Sequence, residues 1–257
     1  VKIERDTLGQ AVIHAENRLD VAYALGFAHG QDRFFQMDLL RRNAAGELSE
    51  LFGKAAVGLD KKMRFHQLRK RSQIAVAQLP AKDKALLKAY ANGVNEGHAQ
   101  VGFDSFEYLL TGAEAKPWQS EDSLLIIFSM YLDLQTATFE RDKTLIEIED
   151  LYGKAMVYFI TQPSLYQAAL DNSLLAPYNG GIPNLKDAQW AMTEIAERKE
   201  LGSNNWAVTG QLTETGAAML SDEMHLLFAV PIIWYRAQLN YPLNGEMQQI
   251  TGVSLPG

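Results

Sequence analysis

The stretch Leu201-Gly202-Ser203-Asn204-Asn205-Trp206-Ala207-Val208 marks the point where the texture of the chain changes. A small residue precedes a serine that opens a run with strand character. Taken alone, a Gly-Ser-Asn run is a polar turn. Its surroundings give it weight. Upstream of it, apolar residues recur at helical spacing over roughly 200 residues. Downstream, residues 205–209 and 217–220 read as strands around a turn at 210–216, and residues 232–241 read as a third strand.

The helical part opens on a hairpin. Residues 1–4 and 10–14 flank Asp6-Thr7-Leu8-Gly9, a turn with glycine at its end. Asp20 is the expected N-cap of a long helix whose apolar positions are Val21, Ala24, Leu25 and Ala28. The pattern resumes in Phe34, Phe35, Met37, Leu39 and Leu40 and fades near Gly46. Further helices are expected over 60–79, 81–95, 122–135 and 139–152, with Gly153 as a stop, and a short one over 154–161. Residues 176–183, Ala-Pro-Tyr-Asn-Gly-Gly-Ile-Pro, form a turn or linker signal, followed by a helix over 186–200. No internal repeat occurs.

Composition narrows the function. The chain has 257 residues, 47% of them hydrophobic, enough for a sizeable core. Its 24 basic residues are outnumbered by 31 acidic ones, giving a net charge of −7. That balance argues against nucleic acid and against docking on an anionic membrane. The longest apolar stretch, 226–235, is interrupted by Pro231 and is far short of the ~20 residues that span a bilayer. There is no cysteine, so no disulfide framework, cysteine zinc site or cysteine nucleophile. The other histidines, His14, His29, His66 and His98, form no zinc-binding spacing, and no Gly-rich phosphate loop occurs. Arg64, Arg69, Lys70 and Arg71 read as the solvated face of a helix, and Trp118 and Trp190 as packing residues.

Several segments together resemble the penicillin acylase family of N-terminal-nucleophile (Ntn) hydrolases. Val1-Lys2-Ile3-Glu4-Arg5-Asp6 with Gly9 and Ile13-His14-Ala15 looks like the family's opening hairpin. Gly26-Phe27-Ala28-His29-Gly30-Gln31-Asp32-Arg33-Phe34-Phe35-Gln36-Met37-Asp38 resembles its signature helix, continued by Arg41-Arg42 and Gly46-Glu47-Leu48-Ser49-Glu50. Gly202-Ser203-Asn204-Asn205-Trp206 lies downstream of the helices, where the family has its processing site, and Leu255-Pro256-Gly257 fits as well. The resemblance covers essentially the whole chain.

It implies a precursor cut between Gly202 and Ser203 by attack of the Ser203 hydroxyl on the Gly202 carbonyl, which no side chain shields. Ser203 then becomes both nucleophile and chain terminus. A serine hydroxyl is a weak nucleophile until a base takes its proton. A terminal amine has a pKa near 7.7–8.0 and can be that base, so no Ser-His-Asp triad is needed. His225 matches a position that holds and polarises the serine hydroxyl or terminal amine. Read from the residues alone, it is equally a histidine hydrogen-bonded near a strand end. Met130 and Leu134, one helical turn apart, and Leu226 match acyl-pocket positions. Read alone, the first two are core packing. Glu140 matches a ligand of a structural Ca²⁺, although one carboxylate is far from the six to eight oxygens such an ion takes. Read alone, it is an exposed helix residue beside Arg141. No organic cofactor is implied.

The resemblance sets out the chain as 1–175, a helical α-chain; 176–202, a spacer; and 203–257, the start of a β-chain. The expected fold is α+β, a mainly helical region packed on the first strands of an Ntn αββα sandwich. The expected partners are a small acyl-amide substrate and the remainder of the β-chain, with no nucleic acid and no membrane. The oxyanion-hole donors are expected in segments past residue 257, so residues 1–257 alone are expected to be inactive. Val1 is not Met and reads as a processed or engineered end; with any signal peptide taken as already removed, a periplasmic or secreted location is expected. Hydrolysis of N-acyl-homoserine lactones or of β-lactam side-chain amides is the expected activity. The rival expectation is a non-catalytic helical fragment that assembles with a separate β-chain.

Overall fold

A computed structural model describes residues 1–161 and 202–257, apart from Asp104 and Leu227. The opening hairpin forms as the turn chemistry dictates. Strand β1 (Lys2–Arg5) pairs antiparallel with β2 (Ala11–His14). The Asp6 carboxylate accepts from the amides of Leu8 and Gln10 and closes the turn. Helix α1 (Arg18–Ala45) starts earlier than expected. Asn17 is its cap, accepting from the Leu19 and Asp20 amides, while Asp20 sits in the first turn, where a negative charge suits the helix terminus.

Helices α2 (Ser49–Phe52), α3 (Val57–His66) and α4 (Leu68–Gln78) follow. The single helix expected over 60–79 is thus two, divided at Gln67, whose φ of 52° cannot continue a right-handed helix. Helix α5 (Ala81–Val101) runs past its expected end to Gly102. After α6 (Phe106–Thr111), α7 (Ser120–Tyr152) is one continuous helix where two were expected. Gly153, at φ 80°, ends it, and α8 (Lys154–Thr161) follows. The linker at 176–183 and the helix over 186–200 lie outside the described residues. The later strands are β3 (Gly202–Val208), β4 (Met219–His225), β5 (Tyr235–Leu243) and β6 (Glu246–Ser254).

The chain divides into two compact units, Val1–Leu132 with Leu226–Gly257, and Asp133–His225. In the first, a sheet of order β1-β2-β5-β6 joins the two ends of the sequence. Strand β5 lies parallel to β2, with Ala11 opposite Ala237 and Ile13 opposite Leu239. Strand β6 was not foreseen. Asn244 and Gly245, at φ 54° and 85°, make the tight turn that joins it to β5. The inner residues Ala11, Tyr235 and Ala237 pack on Ala28 of α1. Residues of the signature helix fix the entry to β5. Asp32 accepts from the Tyr235 hydroxyl at 2.6 Å and from Arg5, while Arg33 donates to the Ile232 carbonyl at 2.6 Å.

Helices α1 and α5 touch through their backbones. Ideal Cβ atoms on Gly26 and Gly30 would lie 2.3 and 2.2 Å from the carbonyl oxygens of Tyr90 and Val94. Those on Gly93 and Gly97 would lie 2.0 and 2.1 Å from the carbonyls of Tyr23 and Phe27. Beside this seam Phe34, Met37, Ala91, Val94, Tyr108, Trp118 and Ile126 form the larger core cluster.

A buried ionic network locks α1 to its neighbours. Asp38 accepts from the Nε atoms of Arg41 and Arg42 and from the Tyr108 hydroxyl, at 2.7, 2.9 and 2.7 Å. Arg41 also reaches Asp122 at 2.7 Å. Arg69 makes a two-pronged pair with Glu47 and a third bond to Asp122, and Arg64 donates to the Gly46 carbonyl. Arg69 is therefore not part of the solvated face that the basic cluster suggested, whereas Arg64, Lys70 and Arg71 are exposed as expected. Buried carboxylates need such partners, and helical spacing alone does not show them.

His29 is almost wholly buried and its hydrogen bonds run in one direction. The Gly257 amide donates to the Tyr90 hydroxyl at 2.7 Å, so that hydroxyl donates to His29 Nδ1, also at 2.7 Å. The proton on Nε2 then points at Ser254 Oγ, 3.1 Å away, and Ser254 donates to the Tyr235 carbonyl. Burial, with the charge of Arg33, holds the ring neutral down to about pH 3. An unfolded histidine titrates near 6.5, so between those limits the unfolded chain binds the extra proton. Stability therefore falls as pH drops through this window, by about 1.4 kcal/mol per unit once below pH 6. Urea unfolding at pH 6 and pH 5 should show this loss, and His29→Gln should flatten it by one proton. Equal slopes in the two proteins would rule out His29 as its source.

Candidate active site

The second unit carries the serine. Strands β3 and β4 form an antiparallel ribbon around the turn that the glycines at 210 and 216 allow. Gly202 lies opposite His225, Ser203 opposite Met224, Asn204 opposite Glu223 and Asn205 opposite Asp222. Opposed residues share a face and successive residues alternate. One face therefore carries Asn204, Trp206, Ser221, Glu223 and His225. The other carries Ser203, Asn205, Asp222 and Met224. Ser203 is exposed at the head of β3.

This register separates the His225 ring from the Ser203 hydroxyl. It sets the ring directly across from Gly202, the residue joined to the Ser203 nitrogen. Nε2 of His225 lies 3.1 Å from Glu223 Oε1 and 3.1 Å from Asn204 Nδ2. Asn204 also donates to Glu223 Oε1. The Asn204 amide, and then His225, hold the Glu223 carboxyl below its ordinary pKa. On the opposite face Asn205 donates to Asp222.

The other expected site residues are placed by different elements. Met130 and Leu134 lie one turn apart on α7, Met130 half-buried and Leu134 exposed. Leu226, half-buried, follows directly on β4. Glu140 is exposed on α7, and no group of three His, Asp or Glu side chains suited to a metal occurs among the described residues. One carboxylate alone does not make a calcium site. Asn204 and Glu223 were missed by sequence reasoning. The usable signal was the Glu-x-His spacing, which puts 223 and 225 on one face once β4 is extended to its true end.

A sequence model of penicillin amidase matches residues 1–257 in full. The chain belongs to this family. Among curated proteins, this penicillin amidase relative is 27% identical over its whole length to the acyl-homoserine lactone acylase QuiP of Pseudomonas aeruginosa, of which it covers 31%. It is 29% identical, again over its whole length, to the penicillin acylase 2 proenzyme of Pseudomonas sp. SE83, of which it covers 34%. The chain thus spans about a third of the length of these relatives. A solved structure, the thermostable penicillin G acylase from Alcaligenes faecalis, shares the α+β fold with a TM-score of 0.56 and 22% identity, over 69% of this chain and 97% of that one.

Proposed function

We propose that the full-length protein is an Ntn amidohydrolase that releases a carboxylic acid from an acyl amide through an acyl-serine intermediate. The observation that carries this reading is Gly202-Ser203 at the head of β3, with Ser203 exposed, in a chain that matches the penicillin amidase family from end to end. Ser203 Oγ attacks the Gly202 carbonyl, the Gly202–Ser203 C–N bond breaks as the acyl group passes to Oγ, and water hydrolyses that ester, leaving a Gly202 carboxylate and Ser203 with a free α-amine. In turnover that amine takes the hydroxyl proton as Oγ attacks the substrate carbonyl. The proton passes to the leaving amine, and water then cleaves the ester and restores Ser203. The names of the relatives support N-acyl-homoserine lactones or penicillin side-chain amides as substrates. Met130, Leu134 and Leu226 are apolar and suit an aliphatic or aromatic acyl group.

On this reading residues 1–175 belong to the α-chain, 176–202 to a spacer and 203–257 to the start of the β-chain. The remainder of that β-chain is the partner of the ribbon, whose Met219, Leu220 and Met224 are exposed. Any Ca²⁺ near Glu140 takes its other ligands from that remainder. The location is periplasmic or secreted. Intact mass and N-terminal sequencing of the full-length protein should find a chain that begins at Ser203. The same material should hydrolyse one of the two substrate types when both are offered side by side. An uncut chain, or one cut elsewhere, that hydrolyses neither would end this reading and favour a non-catalytic assembly role.

A further inference from the structure

The nucleophile reading of Ser203, on which this inference rests, leaves Glu223 without a task. Its carboxylate lies against His225 and Asn204, on the face turned away from the Ser203 hydroxyl. The pair with His225 is half exposed, and ion pairs of that kind add little to stability. Nε2 of His225 cannot serve both neighbours in one protonation state. It donates to Glu223 only when it carries a proton, and accepts from Asn204 only when it does not. Opposed Cα atoms in an antiparallel ribbon lie about 4.5–5.5 Å apart. The carboxylate, the ring and the Ser203 nitrogen, next to Gly202, therefore gather at one end of the ribbon.

We propose that Glu223 is a positioning residue, holding the His225 ring beside the Ser203 amine and setting by its charge the pH at which that amine gives up its proton. Gly202, Asn204 and Trp206 face it from β3, and Ser221 lies beyond it on β4. Among the described residues of this face Glu223 is the only carboxylate, and Asp222 lies on the other. The amine must be neutral to accept the Ser203 proton. A nearby carboxylate favours the ammonium, so it raises the pH at which activity appears.

The test is the pH profile of kcat/KM for the full-length protein. Glu223→Gln keeps the size and removes the charge. The acid limb should move down by about half to one pH unit, the range expected for charges some 6 Å apart near a surface. Glu223→Asp should keep the limb close to that of the wild type. High salt should lower the wild-type limb as the pair is screened, a measurement that needs no variant to fold. A merely structural role would depress kcat/KM at every pH and leave the limb in place. An active, matured wild type whose limb is unmoved by Glu223→Gln and by salt would overturn this proposal alone. A wild type that neither exposes Ser203 nor hydrolyses amides would remove the parent reading and this one together.

Discussion

Ser203→Ala in the full-length protein is expected to remain a single uncut chain and to hydrolyse no acyl amide. Both losses follow from one atom. On the proposed reading the Ser203 hydroxyl attacks the Gly202 carbonyl, to which Ser203 is joined through its own backbone nitrogen. Without that attack the α-amine stays locked in a peptide bond and cannot act as a base. Losing the nucleophile of a serine hydrolase typically costs about 10⁶-fold in kcat. Here the base is lost with it. The two effects are not additive, because each is needed for the same proton transfer. Ser203→Cys keeps a nucleophile and separates chemistry from folding: it should still be cut, at a changed rate. Intact mass over time reads the cut, and release of the free acid reads turnover. Cleavage of Ser203→Ala at the same bond and rate as the wild type would show that an outside protease makes the cut.

Gly93→Ala is expected to be the most damaging single-methyl addition in the helical region. Its Cβ would sit 2.0 Å from the Tyr23 carbonyl oxygen, within a seam of four glycines shared by α1 and α5. The obstacle is backbone, so no rotamer change relieves it. The helices must part, and with them Phe34, Met37, Ala91 and Val94. Alanine is better than glycine inside a helix by about 1 kcal/mol, which offsets little. Overpacking costs typically 1–3 kcal/mol and more where backbone must move. A loss of about 3 kcal/mol lowers Tm by roughly 6–12 °C for a protein of this size. Gly58→Ala is the matched control, since nothing lies within 4 Å of its Cβ on α3. It should be neutral or slightly stabilising. A Gly93→Ala protein melting with the wild type would mean that the seam is looser than these distances.

Local chemistry made much of the fold legible. Asp6 and Gly9 fixed the opening turn, Gly153 the end of α7, and the apolar spacing α8. The misses have physical causes. Residues 135–139 interrupt the apolar pattern of α7, but they hold no glycine or proline, so the helix runs on. The break at Gln67 has no breaker residue to announce it. Strand β6 is rich in glutamine, and its exposed positions blur the alternation, although Asn244-Gly245 signals its turn. The glycines at 26, 30, 93 and 97 keep a spacing of four in each helix, but only the packed pair shows that the two sets face each other. Ser203 and His225 became conspicuous through a family resemblance. Glu223 did not, because it matters only on a strand that reaches His225.

The parallel pairing of β2 with β5 carries a further consequence. Asn240 of β5 donates to the Ile13 carbonyl of β2 across 227 positions of sequence. During synthesis α1 and α5 can meet long before β5 exists, so the β2 edge waits for a partner made much later. Contacts so distant in sequence slow folding, because a large loop must close before they form. Once the sheet is complete, the order of events no longer matters. A cut between Gly202 and Ser203 leaves Ala11–His14 on one polypeptide and Tyr235–Leu243 on the other, still side by side in a single sheet. Neither piece can leave without stripping a strand of its hydrogen bonds, so strand pairing rather than covalent linkage keeps the severed molecule whole.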